Sequence, residues 1–269
     1  MPELPEVETI KNQLSAHLPL KIDSALVTKE AKKDILHTPL KVEGLTLIRI
    51  ERKGKMLDFV LSDGSHLLSH LGMTGTWLVA PEAVEMKHSH IILQGTNPTG
   101  AFSLTYNDPR RFGHLYHFDS AAAAAKLQEL GNDLATMTET EVTEALKRFP
   151  ERALKVTLLD QKLFAGSGNY IANEICARAG IRPTRKCGKI KREEFPRIFA
   201  AIGAVLNPAL ESGGTTFQGG YRDTSGEKGL GVSHLVVFYQ KICQLCGTTP
   251  VKKITLAQRG TYYCPSCQR

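Results

Sequence analysis

The sequence predicts an α+β protein: an N-terminal β-sandwich with a flanking helix, then a C-terminal helical domain, then a short terminal hairpin. Three observations carry this. Apolar residues Val7, Ile10, Leu14 and Leu18 recur at helical spacing near the start. Segments alternating apolar and polar side chains then follow one another up to about residue 118, the signature of half-buried strands. From Thr138 onward the period becomes helical again. The expected domains are 1–130, 131–232 and 233–269.

The first helix is expected over Pro5 to Leu18, with Pro5 suited to its first turn and acids clustered at that end. "LTLIRIER", "MLDFVLSDGSHLLSHLG", "HSHIILQG", "AFSLTYND" and "RFGHLYHF" read as strands, with Asp63-Gly64 as one turn. Several short strands in series point to a sandwich or barrel. The alanine run 121–125 continues through Lys126, Leu127 and Leu130 as a helix that stops at Gly131. Thr138 with Glu141 reads as a capping box for the next helix. The Gly-, Ser- and charge-rich stretch from Gly213 to Gly231 is too long and polar for a simple turn and is expected to be a functional loop.

Lys and Arg number 34 against 27 Asp and Glu, a net charge of +7 among 269 residues, which favours polyanionic partners without naming one. No apolar run approaches the length that spans a bilayer. The first residues hold three acids and no apolar signal core, so a cytoplasmic protein with no membrane partner is expected.

Four of the six cysteines fall in two close pairs: Cys243 and Cys246, then Cys264 and Cys267. Thiolates at this spacing suit one tetrahedral, structural Zn2+, each pair closing a knuckle and "VKKITLAQRGTYY" forming a hairpin between them. Four such bonds supply roughly 10–16 kcal/mol of folding free energy, enough to make a small hairpin rigid. Lys252, Lys253 and Arg259 ride on it. Further upstream, "LFAGSGNYIANE" places Gly166, Ser167, Gly168 and Asn169 just ahead of a helix, where free backbone N–H groups can hold a phosphate or merely complete a packed joint.

Taken in order, "PELPEVET", "RKGKMLDF", "SHLGMTG", "KHSHI", "YNDPRRFG", "LLDQKLFAGSGNYIANE", "ESGGTT" and "AQRGTYYCPSC" resemble the bacterial formamidopyrimidine-DNA glycosylases, whose fold is shared with the endonuclease VIII type. The resemblance covers nearly the whole chain. It implies a helix-two-turns-helix motif in the helical domain, and "PELPEVET" looks like the branch acting on oxidised purines. The implied activity is that of a bifunctional glycosylase and lyase, a monomer acting on double-stranded DNA that contains oxidised bases or abasic sites. Two other readings stay open: an oxidised-pyrimidine glycosylase of the endonuclease VIII type, and a binder of damaged DNA without catalysis.

The opening stretch then has a chemical reading. With the start methionine removed, Pro2 presents a secondary amine whose attack on a sugar carbon gives an iminium cation that cannot shed a proton from nitrogen, and so acts as an electron sink. An α-amino group titrates near ~8 against ~10.4 for lysine, leaving an appreciable neutral fraction at working pH. The resemblance makes Pro2 the nucleophile, Glu3 the proton shuttle, and Glu6 mainly buried support. It makes Lys55 a catalytic contact to the phosphate beside the lesion that assists elimination, and Arg259 a catalytic grip on the lesion's phosphates linked to the second elimination. A nucleotide extruded for attack leaves a hole in the stack, and Met73, Arg110 and Phe112 match the family's void-filling trio. His90, Arg152 and Asn169 carry over as DNA-backbone contacts. Departures are Met56 where tyrosine is common, "VFYQKICQLC" ahead of the first cysteine pair, and Glu151 where a basic residue often stands.

Overall fold

The computed structural model describes residues 1–81, 86–217 and 220–269. The chain forms two compact units, Met1–Glu129 with Ser212–Leu230, and Leu130–Glu211 with Gly231–Arg269.

In the first unit, α1 spans Leu4–Ser15 and buries Leu4, Val7, Ile10 and Leu14, each worth about 1.5–3 kcal/mol once removed from water. It ends a turn earlier than the periodicity suggests. Leu18 precedes Pro19, and a residue before proline is driven out of the helical region, so Leu18 meets the core from the connection instead. Strands β1 (Leu20–Val27), β2 (Thr46–Lys53), β3 (Met56–Leu61), β4 (His66–His70), β5 (Thr76–Ala80), β6 (Ser89–Asn97), β7 (Gly100–Asn107) and β8 (His114–Phe118) pair antiparallel in the order β5-β7-β6-β1-β2-β3-β4-β8. Two short helices flank them, α2 (Lys29–Asp34) and α3 (Ser120–Gln128).

The ladder folds over on itself. Trp77 lies on the edge strand β5, yet its ring centroid is 5.1 Å from that of Phe59 on β3 and its Nε1 donates to Ser69 Oγ on β4 at 3.0 Å. Strands far apart in the ladder therefore share one core, which is the expected sandwich.

The second unit contains β9 (Asn132–Asp133) paired parallel with β10 (Phe164–Ala165), helices α4 (Glu139–Lys147), α5 (Leu154–Leu158), α6 (Asn169–Arg178) and α7 (Phe195–Glu211), and the antiparallel hairpin β11 (Lys252–Leu256) and β12 (Arg259–Tyr263). The capping box ahead of α4 forms: Thr138 N–H donates to Glu141 Oε2 at 2.7 Å, and Glu141 N–H returns to Thr138 Oγ1 at 3.3 Å. Helix α7 buries Phe195, Ile198, Ala201, Ile202, Val205, Leu206 and Ala209, one face at helical spacing.

Two boundaries differ from the expected domains. Segment 212–230 groups with the first unit, not with the helices, because α1 holds it. Glu6 Oε1 accepts from Thr215 N–H at 2.7 Å, and Gln13 Nε2 donates to Asp223 Oδ2 at 2.8 Å. Within this segment, residues 218 and 219 lie outside the described ones. The terminal hairpin, expected as its own domain, groups with the helices because buried polar side chains of α5 and α6 bind its backbone. Among the described residues no helix is long and apolar enough to cross a membrane.

Candidate functional site

The chain start sits against charge that is almost wholly withdrawn from water. Pro2 is buried, and Glu3, Glu6 and Lys55 are 3%, 1% and 8% exposed. Glu3 is the residue ahead of α1, and its N–H donates to Glu6 Oε2 at 2.7 Å. Both oxygens of Glu6 are thus spent on backbone amides, one at the chain start and one at Thr215. This geometry supports the reading of Glu6 as structural. Burial holds the Met1 α-amine below its ordinary value; Glu3 and Glu6 oppose the shift, while Lys55 and Arg110 add to it. These four side chains therefore share the neighbourhood of the terminus.

Lys53 and Lys55 look alike in sequence, and the β2–β3 hairpin separates them. Gly54 takes φ +60°, and Arg52 braces the turn by donating from Nη1 to the Gly54 carbonyl at 2.8 Å and from Nε to Glu8 Oε2 at 2.6 Å. Lys53 Nζ donates to the Leu127 carbonyl at 2.9 Å, so it is occupied at the end of α3. Lys55 is the one turned inward.

His70, a residue the sequence reading passed over, belongs to this neighbourhood. It pairs across the sheet with Met56 on one side and His114 on the other. Burial lowers its pKa to about 4, with Lys55 and His114 contributing, so the ring is neutral at ordinary pH. Its Nδ1 accepts from Gly72 N–H at 3.2 Å, which assigns the proton to Nε2. Alternation alone could not have found it, because the Met56–His70 pairing is set by the register of the turn after β3.

Met73, Arg110 and Phe112 come together at one edge of the same unit. Gly72 packs so closely on residue 112 that an added Cβ would stand 2.2 Å from the Phe112 carbonyl oxygen; only glycine fits there. The Arg110 guanidinium lies 4.7 Å over the Phe112 ring, which is 48% exposed. Fully buried Asp108 fixes the turn: Oδ1 accepts from Thr74 Oγ1 at 2.6 Å and from Arg110 N–H at 3.2 Å, and Oδ2 accepts from Gly113 N–H at 2.9 Å. Arg111 takes φ +55° and pairs with Asp34 at 2.9 Å. His90 does not face outward as expected. It is buried, and Nε2 donates to the Asp108 carbonyl at 3.0 Å, so it props the turn from inside.

In the second unit Asn169 opens α6 and Arg259 opens β12. The turn before α6 is tied by Gln161, whose Nε2 donates to the Ser167 carbonyl at 2.7 Å while Oε1 accepts from Gly166 N–H at 3.2 Å. Asn169 Nδ2 donates to the Gly260 carbonyl at 3.2 Å, and Asn169 Oδ1 has no hydrogen-bond partner among the described residues. Fully buried Lys155 reaches the same point: Nζ donates to the Gly260 carbonyl at 2.9 Å and to Thr261 Oγ1 at 2.7 Å. Asn173 accepts from Tyr262 N–H at 2.7 Å. Exposed Arg259 is thus held from behind, at a hairpin turn where Ala257 and Gln258 take φ +47° and +59°. Glu174 secures the approach to the hairpin by accepting from the N–H groups of Val236, Val237 and Phe238 at 2.7, 2.9 and 2.8 Å. Arg152 is less available than the sequence suggests. Its Nη1 binds Asp160 Oδ2 at 2.7 Å and its guanidinium covers Phe149, while Glu151 pairs with Lys186 at 2.7 Å.

The four sulfurs of Cys243, Cys246, Cys264 and Cys267 lie within 4.8 Å of one another, with Cys243 to Cys267 and Cys246 to Cys264 both 4.0 Å. Tetrahedral zinc with Zn–S of about 2.3 Å needs sulfurs about 3.8 Å apart, so the residues fit one structural zinc ion.

Known proteins bear on all of this. Residues 1–115 match the family model described as the formamidopyrimidine-DNA glycosylase N-terminal domain, 130–219 match its H2TH domain, and 241–269 match a zinc finger found in FPG and IleRS. The formamidopyrimidine-DNA glycosylases of Halorhodospira halophila and Geobacillus kaustophilus are 39% and 36% identical to the chain, with both proteins covered in full. Among solved structures, MutM (Fpg) from Thermus thermophilus superposes with a TM-score of 0.86 at 32% identity over 99% of this chain and 98% of that one. A MutM bound to DNA containing carbocyclic 8-oxo-G gives 0.88 at 28% identity over the whole of both chains. The match runs through both units and the hairpin, and the chain belongs to the formamidopyrimidine-DNA glycosylase family.

Proposed function

We propose that this protein removes oxidised purines such as 8-oxoguanine and formamidopyrimidines from duplex DNA and then cuts the strand at the resulting site, acting in the cytoplasm as a monomer. The observation that carries the reading is the chain start itself, with Pro2 buried beside Glu3, Glu6 and Lys55.

After loss of Met1, the Pro2 nitrogen attacks C1′ of the extruded nucleotide as the bond from C1′ to the base breaks and its electron pair leaves with the base. Glu3 delivers a proton to the ring oxygen or the departing group. The sugar opens and the bond to nitrogen becomes an iminium. Loss of a C2′ proton into that electron sink expels the 3′ phosphate (β-elimination), and a second proton loss expels the 5′ phosphate (δ-elimination). Lys55 and the Nε2–H of neutral His70 bind phosphate oxygen beside the lesion, while Arg259 and Asn169 hold the backbone. Met73 and Phe112 fill the vacated space, and Arg110 addresses the orphaned base. Zinc, held by the four cysteines, supplies rigidity to the hairpin that carries Arg259.

Only the neutral amine attacks, so the rate of adduct formation should rise with pH as the Pro2 amine gives up its proton. Borohydride reduction with an 8-oxoguanine duplex should trap a stable adduct, mapped by mass spectrometry to Pro2. Pro2→Gly should lose most activity and keep its DNA affinity. Tight duplex binding without any trapped adduct across a lesion panel would leave a binder rather than an enzyme.

A further inference from the structure

A second concentration of positive charge lies in the helical unit, away from Asn169 and Arg259. A cavity of about 600 Å³ is lined by Arg185, Lys189, Lys191, Arg197, Arg269 and Glu194. Gly180, just past the C-terminal end of α6, forms part of its wall. Asn169 opens that same helix, and ten residues of α-helix span about 15 Å, so this cavity and the grip at Asn169 sit at opposite ends.

Its charge is unbalanced. Five cationic side chains face two carboxylates, Glu194 and the main-chain carboxylate of Arg269, with the zinc ligand Cys267 also in the wall. Glu194 is shared between Arg185, which donates from Nη1 to both oxygens at 2.8 and 2.9 Å, and Arg197, whose Nη2 donates at 3.0 Å. Arg185 also donates to the Arg269 carbonyl, so it is largely spent on structure. No carboxylate among the described residues pairs with Lys189, Lys191 or the Arg269 side chain. Arg197 Nη1 lies only 3.7 Å from where a Cβ on Gly180 would stand, so this guanidinium covers the backbone at the helix end. A helix C-terminus carries about half a negative charge, which repels anions; the side chains around this one still leave positive charge in excess, with Lys189 and Lys191 exposed.

We propose that this cavity is a second phosphate-binding site, occupied by DNA backbone and separate from the grip at Asn169 and Arg259. The proposal rests on the DNA-binding reading above. The donors favour backbone over a selective small anion. Lys189, Lys191, Arg197 and Arg269 are exposed, and solvated cations on flexible stems suit delocalised, salt-sensitive phosphate contacts more than a shaped pocket does.

The test compares wild type, Lys189→Glu/Lys191→Glu, and a control with the same charge change on α2, Lys32→Glu/Lys33→Glu. All three are checked for zinc content and melting temperature. Affinity for a duplex carrying an abasic-site analogue is measured against salt. Two lost phosphate contacts should flatten the slope of log affinity against log salt by about 1.8, roughly tenfold less sensitivity over a fourfold rise in salt. The control should keep the wild-type slope. A Lys189/Lys191 variant with the wild-type slope, or a control that flattens equally, overturns the proposal. It is also overturned if the Lys189/Lys191 variant loses calorimetric pyrophosphate binding with its duplex slope intact, which would mark a small-anion site. If wild type itself fails to bind the duplex, the underlying DNA reading has failed instead, and the comparison shows which.

Discussion

The chain start and the α6–hairpin grip solve opposite problems with the same material. At the terminus the groups proposed to react, Glu3 and Lys55, are themselves buried, as is the supporting Glu6, all under 9% exposed. In the second unit Arg259, proposed to hold the DNA backbone, is exposed, and the buried charge, Lys155, stands behind it. Burial at the terminus changes what a group does, since removing an amine from water favours its neutral, nucleophilic form. Burial behind the hairpin changes where a group is held, since a cation satisfied by a carbonyl and a hydroxyl fixes backbone without touching ligand. On the proposed function, chemistry sits in the first region and position in the second, and perturbing each should fail in its own way.

The largest separation should come from zinc. Chelation, or Cys264→Ser, removes a site worth roughly 10–16 kcal/mol of apparent folding free energy. Only the hairpin depends on it directly. Loss of β11–β12 amide protection and of duplex affinity is expected while exchange protection in β1–β8 persists. Simultaneous collapse of the sheet would break the distinction between the regions.

His70 tests the buried-chemistry side. Its folded pKa is about 4 against an ordinary value near 6.5. Between those values the unfolded chain binds a proton that the folded chain refuses, so stability falls as pH drops from 6.5 toward 4. The full effect is about 3 kcal/mol at ~1.36 kcal/mol per unit. Urea titrations of wild type and His70→Gln across that window should show the variant losing less stability on acidification. Parallel curves would show that burial there does not control protonation.

How much of this was legible beforehand follows from the kind of signal each residue leaves. The four cysteines and the period change near residue 138 are local patterns, and both could be read from spacing alone. Lys55 against Lys53 could not: the two differ only through a turn at Gly54 and a carbonyl at the end of α3. His90 was expected as a DNA-backbone contact; that it lies buried beneath the turn at Asp108 depends on a long-range partner that alternation along its strand does not reveal. Segment 212–230 misled for the same reason. Its polarity suggested a loop of the neighbouring helices, whereas Glu6 and Gln13 on a helix some two hundred residues earlier hold it. Lys155 left no signal at all, since a lysine in a short helix is ordinarily solvated.

Lys155 in turn sharpens the positional side. Lys155→Met keeps the stem and removes the charged donor, leaving Thr261 Oγ1 without that donor and the Gly260 carbonyl with the Asn169 amide. Hydrogen bonds to charged groups contribute about 1.5–3 kcal/mol, so a loss near ~2 kcal/mol is expected. Duplex affinity should fall by about tenfold to thirtyfold if that loss is transmitted to Arg259. Zinc content and the pH midpoint for adduct trapping should not move. A shifted midpoint would mean that Lys155 acts on the chemistry after all.

The smallest expected effect is at the hairpin turn. Ala257 and Gln258 both hold positive φ, a region costing a non-glycine residue about 1–2 kcal/mol. Leu256 pairs with Arg259 across them, so this two-residue turn sets where Arg259 begins its strand. Gln258→Gly relieves that cost in the folded state and gives some of it back through a more flexible unfolded chain. A rise of at most about 1 kcal/mol is expected, read as a small increase in the denaturation midpoint of the zinc-loaded protein. The informative result is the affinity measured beside it. If position is what this region contributes, a turn relaxed without moving the Leu256–Arg259 register should bind duplex as wild type does. Weaker binding with higher stability would instead mean that the strained backbone holds Arg259 at an angle that an unstrained turn does not reproduce.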